Sequence, residues 1–136
     1  MSNQVVPAAK AVIVKNNKIL AIETEADQDK RWDLPGGKIE YGETPKEALK
    51  REVDEEVSLN VEIESVIGTY SFQWKDLQIV PIVFKCKLLG KEEIHLGENP
   101  NGEESVINYR WMELSNFKSS IFFDRLGDII EDELGR

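Results

Sequence analysis

The chain has 136 residues, 40% of them hydrophobic and 32% charged, and a formal net charge of −9. That length supplies a core without staples, and the acid surplus excludes general binders of nucleic acid or anionic membranes, whose affinity comes from basic surface. The one cysteine, Cys86, excludes an internal disulfide, whereas a small anionic ligand stays open because a bound metal ion reverses the local field.

The opening MSNQVV has neither the basic nor the apolar region of a secretion signal. No apolar run reaches the ~18 residues of a membrane span. A single soluble domain over residues 1–136, in a reducing cytoplasm, is the expectation. Residues 5–14 (VVPAAKAVIV) read as a strand buried towards its end. Asn16-Asn17 signals a tight turn, and Lys18 to Glu23 is the returning strand. The polar stretch 24–31, ending on Arg31, reads as a loop. Trp32-Asp33-Leu34 reads as a short extended segment, which Pro35 and Gly36-Gly37 close in a turn. Lys38 to Glu43 stays in loop.

A helix follows from Pro45 to about Val57. Thr44 is its N-cap, Pro45 suits the first position, and Glu47 completes a capping box. Leu49, Val53 and Val57 form its apolar stripe, bordered by Glu52, Glu55 and Glu56. Val61 to Trp74 alternates, with Val61, Ile63 and Ser65 on one face and Tyr70, Phe72 and Trp74 on the other. Gly68 marks a bulge where the inward face changes. Lys75-Asp76 is a turn, and Leu77 to Leu89 a long strand holding Cys86 in its core. Pro81 within it argues for an edge position or a bulge. The stretch 90–104 is a polar loop of a length more often functional than structural. Ser105 to Trp111 is a further strand, and Ser115 caps a short turn at 116–119. Phe122, Phe123, Leu126, Ile129, Ile130 and Leu134 repeat at helical spacing.

Glu52, Glu55 and Glu56 share one helix face at i, i+3 and i+4. Like charges so placed repel, so a cation is expected opposite them. Carboxylates beside a glycine turn suit a hard divalent ion, Mg²⁺ with Mn²⁺ as a substitute. Two such ions would bridge adjacent phosphates, polarise phosphorus and activate a water.

The stretch Gly37–Leu59 resembles the signature of the Nudix hydrolases, G-x5-E-x7-R-E-U-x-E-E-x-G-U with U a bulky apolar residue. Gly37, Glu43, Arg51, Glu52, Val53, Glu55, Glu56 and Leu59 fill the fixed positions, and Ser58 alone departs, standing where the family has glycine. The order of strands and the terminal helix extend the resemblance over nearly the whole chain. It implies an α/β fold, a Nudix-like α/β/α sandwich with a mixed β-sheet between helices. It also implies that Glu52, Glu55 and Glu56, with the carbonyl of Gly37, hold the metal. Arg51 then pairs with Glu43 or a ligand carboxylate to orient it, although Glu47 and Glu55 are also within helical reach.

For the general base the resemblance offers a box glutamate, such as Glu52 or Glu55, or an acid on a later loop. Glu104 is the favoured loop residue, as base or additional ligand, with Glu103 beside it and Glu98 a weaker candidate. The plain alternative is that these are solvated loop acids, as His95 is an exposed loop residue. Trp32, Arg31, Tyr70 and Trp74 are the candidate substrate contacts, although an aromatic stripe on a strand is more often core. A serine in the left-handed region after the helix costs roughly 1 kcal/mol; either that strain is tolerated or Asn60 takes over the turn, which predicts lower stability at most and unchanged metal chemistry.

The implied reaction is hydrolysis of a nucleoside diphosphate linked to another moiety, with a nucleoside triphosphate the favoured substrate. Nucleotide sugars, ADP-ribose and dinucleoside polyphosphates are alternatives. The proline that marks many ADP-ribose hydrolases is replaced by Gln73 and Trp74. A non-catalytic nucleotide sensor is the other alternative, against which the complete carboxylate set argues. The resemblance also admits a homodimer.

Overall fold

The computed structural model describes residues 3–26, 28–97, 105–120 and 124–134. Its elements, in chain order, are β1 (Gln4–Lys15), β2 (Lys18–Ala26), β3 (Asp29–Asp33), β4 (Gly36–Lys38), α1 (Pro45–Val57), β5 (Asn60–Thr69), β6 (Phe72–Trp74), β7 (Leu77–Leu89), β8 (Ser105–Glu113), α2 (Leu114–Ser120) and α3 (Asp124–Leu134). The strands form one mixed sheet in the order β3-β2-β1-β7-β5, with β4 on β1, β6 on β7 and β8 on β2. Its centre is the parallel pair β1 and β7, in register from Gln4 opposite Leu77 to Val14 opposite Lys87.

Successive side chains of β1 leave opposite faces, and each face carries its own core. Ala9, Ala11 and Ile13 pack with Leu49, Val53 and Val57 of α1. Val12 packs on the other side with Phe117 of α2 and Leu126 and Ile130 of α3. This is the expected α/β/α sandwich. Cys86 is buried in the α1-side core, and burial pushes its thiol up to about 12, so it stays an inert thiol. No helix among the described residues is long and apolar enough to cross a membrane.

Several local expectations hold. Asn16 and Asn17 both take positive φ, 51° and 61°, in the β1–β2 hairpin, and Lys75 does the same before β7. The ladder of β5 on β7 shifts register between Val66 and Gly68. The chain turns inward to the other core there, with Ile63 against the α1 side and Tyr70 against the α3 side.

Others need correction. The stretch 24–31 is no loop: β2 runs to Ala26 and β3 starts at Asp29, paired from Ala26 opposite Asp29 to Ile22 opposite Asp33. Its polar side chains concealed strands whose pairing is satisfied by each other. Gly36-Gly37 is no simple turn either, because β4 pairs with β1, Gly36 opposite Lys10 and Gly37 opposite Ala9. A β-carbon on Gly36 would lie 2.0 Å from the Ala9 carbonyl oxygen, so only glycine permits this approach. Pro81 lies inside the sheet, not at its edge. Thr69 faces Ile82 and Phe72 faces Ile79, so Pro81 sits where the neighbour changes from β5 to β6 and that ladder is already interrupted. Residues 114–120 form a helix where a short turn was expected. Phe122 and Phe123 lie outside the described residues, as do positions 98–104 of the long loop.

Candidate active site

The acid-bearing helix starts as its sequence dictates. Thr44 accepts from the Glu47 amide at 3.2 Å and Glu47 returns a bond to the Thr44 amide at 3.0 Å. The apolar stripe Leu49, Val53 and Val57 is fully buried, which fixes the rotation of α1 about its axis. That rotation turns Glu52 and Glu56 towards β4. The Gly36 amide donates to Glu56 Oε1 at 2.7 Å. A β-carbon on Gly37 would lie 2.7 Å from the Glu52 carboxyl carbon, so the bare glycine makes room for that side chain.

Arg51 organises the exposed side of the cluster. Its Nε and Nη2 donate to the two oxygens of Glu43 at 2.7 and 2.9 Å, a bidentate grip. Its Nη1 donates to Glu52 at 2.9 Å and to Glu55 at 3.3 Å, and Nη2 also reaches the Lys38 carbonyl at 3.2 Å. The hydrogen bonds from Arg51 and from the Glu40 amide lower the Glu43 pKa. The hydrogen bonds to Glu43 first, and then to Glu52, raise the pKa of Arg51 against the cost of burial. Glu47, the other helical option, belongs to the capping box instead.

The carboxylates differ in environment. Burial raises the Glu52 pKa despite Arg51. Glu56 is more deeply placed: burial pushes it up to about 8, opposed by the charge of Lys10 and the Gly36 amide. Glu55 is 58% exposed at its side chain.

A cavity of about 110 Å³ opens beside this cluster, lined among others by Lys10, Arg31, Asp33, Phe72 and Trp74. Gly36 and Gly37 line it as well. Arg31 lies over the Trp74 ring at 5.9 Å and Lys75 over the same ring at 4.7 Å. At the inner end the Lys10 ammonium bonds Asp33 Oδ2 at 2.9 Å, and Asp33 Oδ1 accepts from the Leu34 amide at 2.7 Å. Burial opposes the charge on Lys10, yet the Asp33 carboxylate bonded to it outweighs that cost and holds the lysine protonated.

Of the four predicted substrate contacts, Arg31 and Trp74 line the cavity. Trp32 packs towards the α3-side core under Arg110, 5.2 Å from its ring. Tyr70 is 5% exposed and stacks on Phe72 with centroids 5.9 Å apart. Lys10 and Asp33 are the site residues that sequence reasoning did not single out. A lysine in an apolar strand was the available signal, since buried lysine demands a carboxylate.

Among the described residues no three acidic, histidine or cysteine side chains already converge on one point: Arg51 draws Glu52 and Glu55, while Glu56 turns to Gly36. The donor set still fits a hard divalent cation. It offers three carboxylates on one face, a glycine cradle, and a half-buried acid that a cation would compensate. Glu98, Glu103 and Glu104 lie outside the described residues.

The NUDIX domain family model matches residues 5–131. A MutT-like protein of Streptomyces ambofaciens is 32% identical over 129 residues, covering 93% of this chain and 77% of that protein. An ADP-ribose pyrophosphatase of Methanocaldococcus jannaschii is 39% identical over 88 residues, 62% of this chain and 52% of its own length. The crystal structure of a MutT protein from Methanosarcina mazei Go1 superposes with a TM-score of 0.80 at 22% identity, covering 97% of this chain and 94% of that one.

Proposed function

This chain belongs to the Nudix family and is a hydrolase of phosphoric anhydride bonds; we propose that it is a Mg²⁺-dependent pyrophosphohydrolase of nucleoside triphosphates. One observation carries the reading. The cavity holding Arg31 and Trp74 shares Gly36 and Gly37 with the carboxylate cluster, so a ring in the cavity leaves its phosphates beside Glu52 and Glu56. At about 110 Å³, below the ~300 Å³ where drug-sized sites begin, the cavity takes one ring rather than a whole dinucleotide.

Glu52, Glu55 and Glu56 would hold the ion, which supplies charge neutralisation on the phosphates and an activated water. The chain's own groups do the rest. Trp74 offers a face for the base. Arg31 lines the cavity within reach of an anionic group, and the Lys10–Asp33 pair closes its inner end. Arg51 keeps Glu52 and Glu55 oriented through its anchor on Glu43. Water adds to one phosphorus, the bridging oxygen leaves with the departing phosphate, and the products are a nucleoside monophosphate and pyrophosphate.

Hydrolysis of ADP-ribose is the second reading, favoured by the archaeal relative named for it. A panel of nucleoside triphosphates, ADP-ribose, nucleotide sugars and dinucleoside polyphosphates, incubated with Mg²⁺ and read by product identity, separates these. Monophosphate and pyrophosphate from a triphosphate are expected. Faster release of AMP and ribose phosphate from ADP-ribose selects the second reading. No product from any of them, with nucleotide binding intact, leaves only a sensor.

A further inference from the structure

The C-terminal turn of α1 is covered by the segment 94–97, which no signature residue includes. Such a turn leaves carbonyl oxygens without helical partners. The Ser58 amide closes back on Asp54 at 3.0 Å; the next two come from outside the helix. The His95 amide donates to the Val57 carbonyl at 3.2 Å and the Gly97 amide to the Glu56 carbonyl at 3.0 Å. The Ser58 hydroxyl answers by donating to the His95 carbonyl at 3.1 Å. Ile94 and Leu96 pack against the core that holds Leu49, Val53 and Val57.

Gly97 is where this docking is tightest. A β-carbon there would lie 1.7 Å from the Glu55 carbonyl oxygen and 2.9 Å from its carbon. Both are backbone atoms in a helix and cannot swing aside. Its φ lies outside the left-handed region, so alanine would be excluded by space alone and not by backbone preference. The consequence falls on Glu56, which is held at both ends: its carbonyl by the Gly97 amide and its carboxylate by the Gly36 amide at 2.7 Å.

We propose that Gly97 is a positioning residue, whose missing side chain lets the segment 94–97 clamp the last turn of α1 and fix Glu55 and Glu56 for their metal. This rests on the Mg²⁺ reading above. A side chain at position 97 pushes the segment 94–97 off the helix end by more than about 1 Å, releasing the turn that carries Glu55 and Glu56, and ligand geometry is sensitive to displacements of that size. Linkage makes the effect reciprocal: a clamp that favours the metal is itself tightened by the metal.

The test uses the full chain and the Gly97→Ala variant. Mg²⁺ binding is measured by calorimetry without nucleotide, beside thermal melts. The expected result is a tenfold or larger weakening of Mg²⁺ binding in Gly97→Ala, with turnover recovering at high Mg²⁺. A purely structural role would lower the melting temperature and leave the folded fraction's affinity unchanged. In the unaltered chain, amide exchange at His95 and Gly97 should slow threefold or more when Mg²⁺ saturates. Equal affinity in both proteins overturns the clamp alone, and no binding by the unaltered chain overturns the Mg²⁺ reading with it. Should Gly97→Ala not fold, the exchange measurement decides: unchanged protection with Mg²⁺ overturns the proposal.

Discussion

Arg51 grips Glu43 with two parallel hydrogen bonds of 2.7 and 2.9 Å while its remaining nitrogen reaches Glu52 at 2.9 Å. Glu43 lies in the loop before α1, so the guanidinium ties loop to helix and orients a carboxylate of the proposed metal site in one stroke. Lysine keeps the charge and loses the fork. Arg51→Lys should therefore weaken Mg²⁺ binding by about 10–100-fold, the usual cost of losing a group that orients a ligand. Its effect on stability should be smaller, within about 2 kcal/mol. Calorimetric titration with Mg²⁺ beside a urea melt measures both. A variant with native affinity would show that Glu52 needs no such orientation.

The pair Lys10 and Asp33 is nearly closed to solvent, with side chains 10% and 9% exposed. Removing one partner of such a pair strands the other as a buried charge. Lys10→Met should cost about 3–5 kcal/mol in a urea melt. The double variant Lys10→Met with Asp33→Leu should recover most of that loss, since apolar replacement of a whole buried pair is often neutral. If the double variant is as unstable as the sum of the single ones, the two groups are not energetically coupled.

Burial raises Glu56 from an ordinary 4.5 to about 8. Between those values the folded, metal-free chain holds a proton that the unfolded chain has released. Stability from this group is thus whole below pH 4.5 and is lost as pH rises through 8, by at most about 1.4 kcal/mol per pH unit. Glu43, whose pKa is lowered, acts in a separate window: its contribution is present above its unfolded pKa and fades in more acid solution. Urea midpoints of the metal-free protein should therefore fall from pH 5 to 8 relative to Glu56→Gln, which lacks the titration. Mg²⁺ should expel the same proton, so proton release on binding should shrink as pH approaches 8. Parallel midpoint curves for the two proteins would contradict the assignment.

The helix of the site was legible because its signals are local. Thr44, Pro45 and Glu47 define a start within four residues, and Leu49, Val53 and Val57 define a face by period alone. Turns with fixed chemistry, Asn16-Asn17 and Lys75-Asp76, were legible for the same reason. What the sequence hid is pairing at a distance. The strand at Asp29–Asp33 is polar because its extended form is set by β2 and not by its own side chains. Gly36-Gly37 looks like punctuation until β1 lies against it. Pro81 looks like an edge signal until the break between β5 and β6 is seen opposite it. Lys10 and Asp33 stand far apart in the chain, and nothing short of β1 and β3 in place joins them.

Ser58 adopts φ 59° and ψ 36° at the end of α1, the left-handed conformation that the family's glycine would take freely. Relief of that strain makes glycine better by roughly 1 kcal/mol. Against it stands the hydroxyl bond to the His95 carbonyl, 3.1 Å long and exposed, a class of bond worth about 0.5–1.5 kcal/mol net. The two terms nearly cancel, so Ser58→Gly should shift stability by less than about 1 kcal/mol. Turnover and Mg²⁺ binding should stay within twofold, because the amides of His95 and Gly97 still hold the helix end and Ser58 is no ligand. Thermal melts and steady-state rates on the same preparation check this. A large fall in turnover at unchanged stability would make the serine hydroxyl, and not the amides beside it, the contact on which the last turn of the site depends.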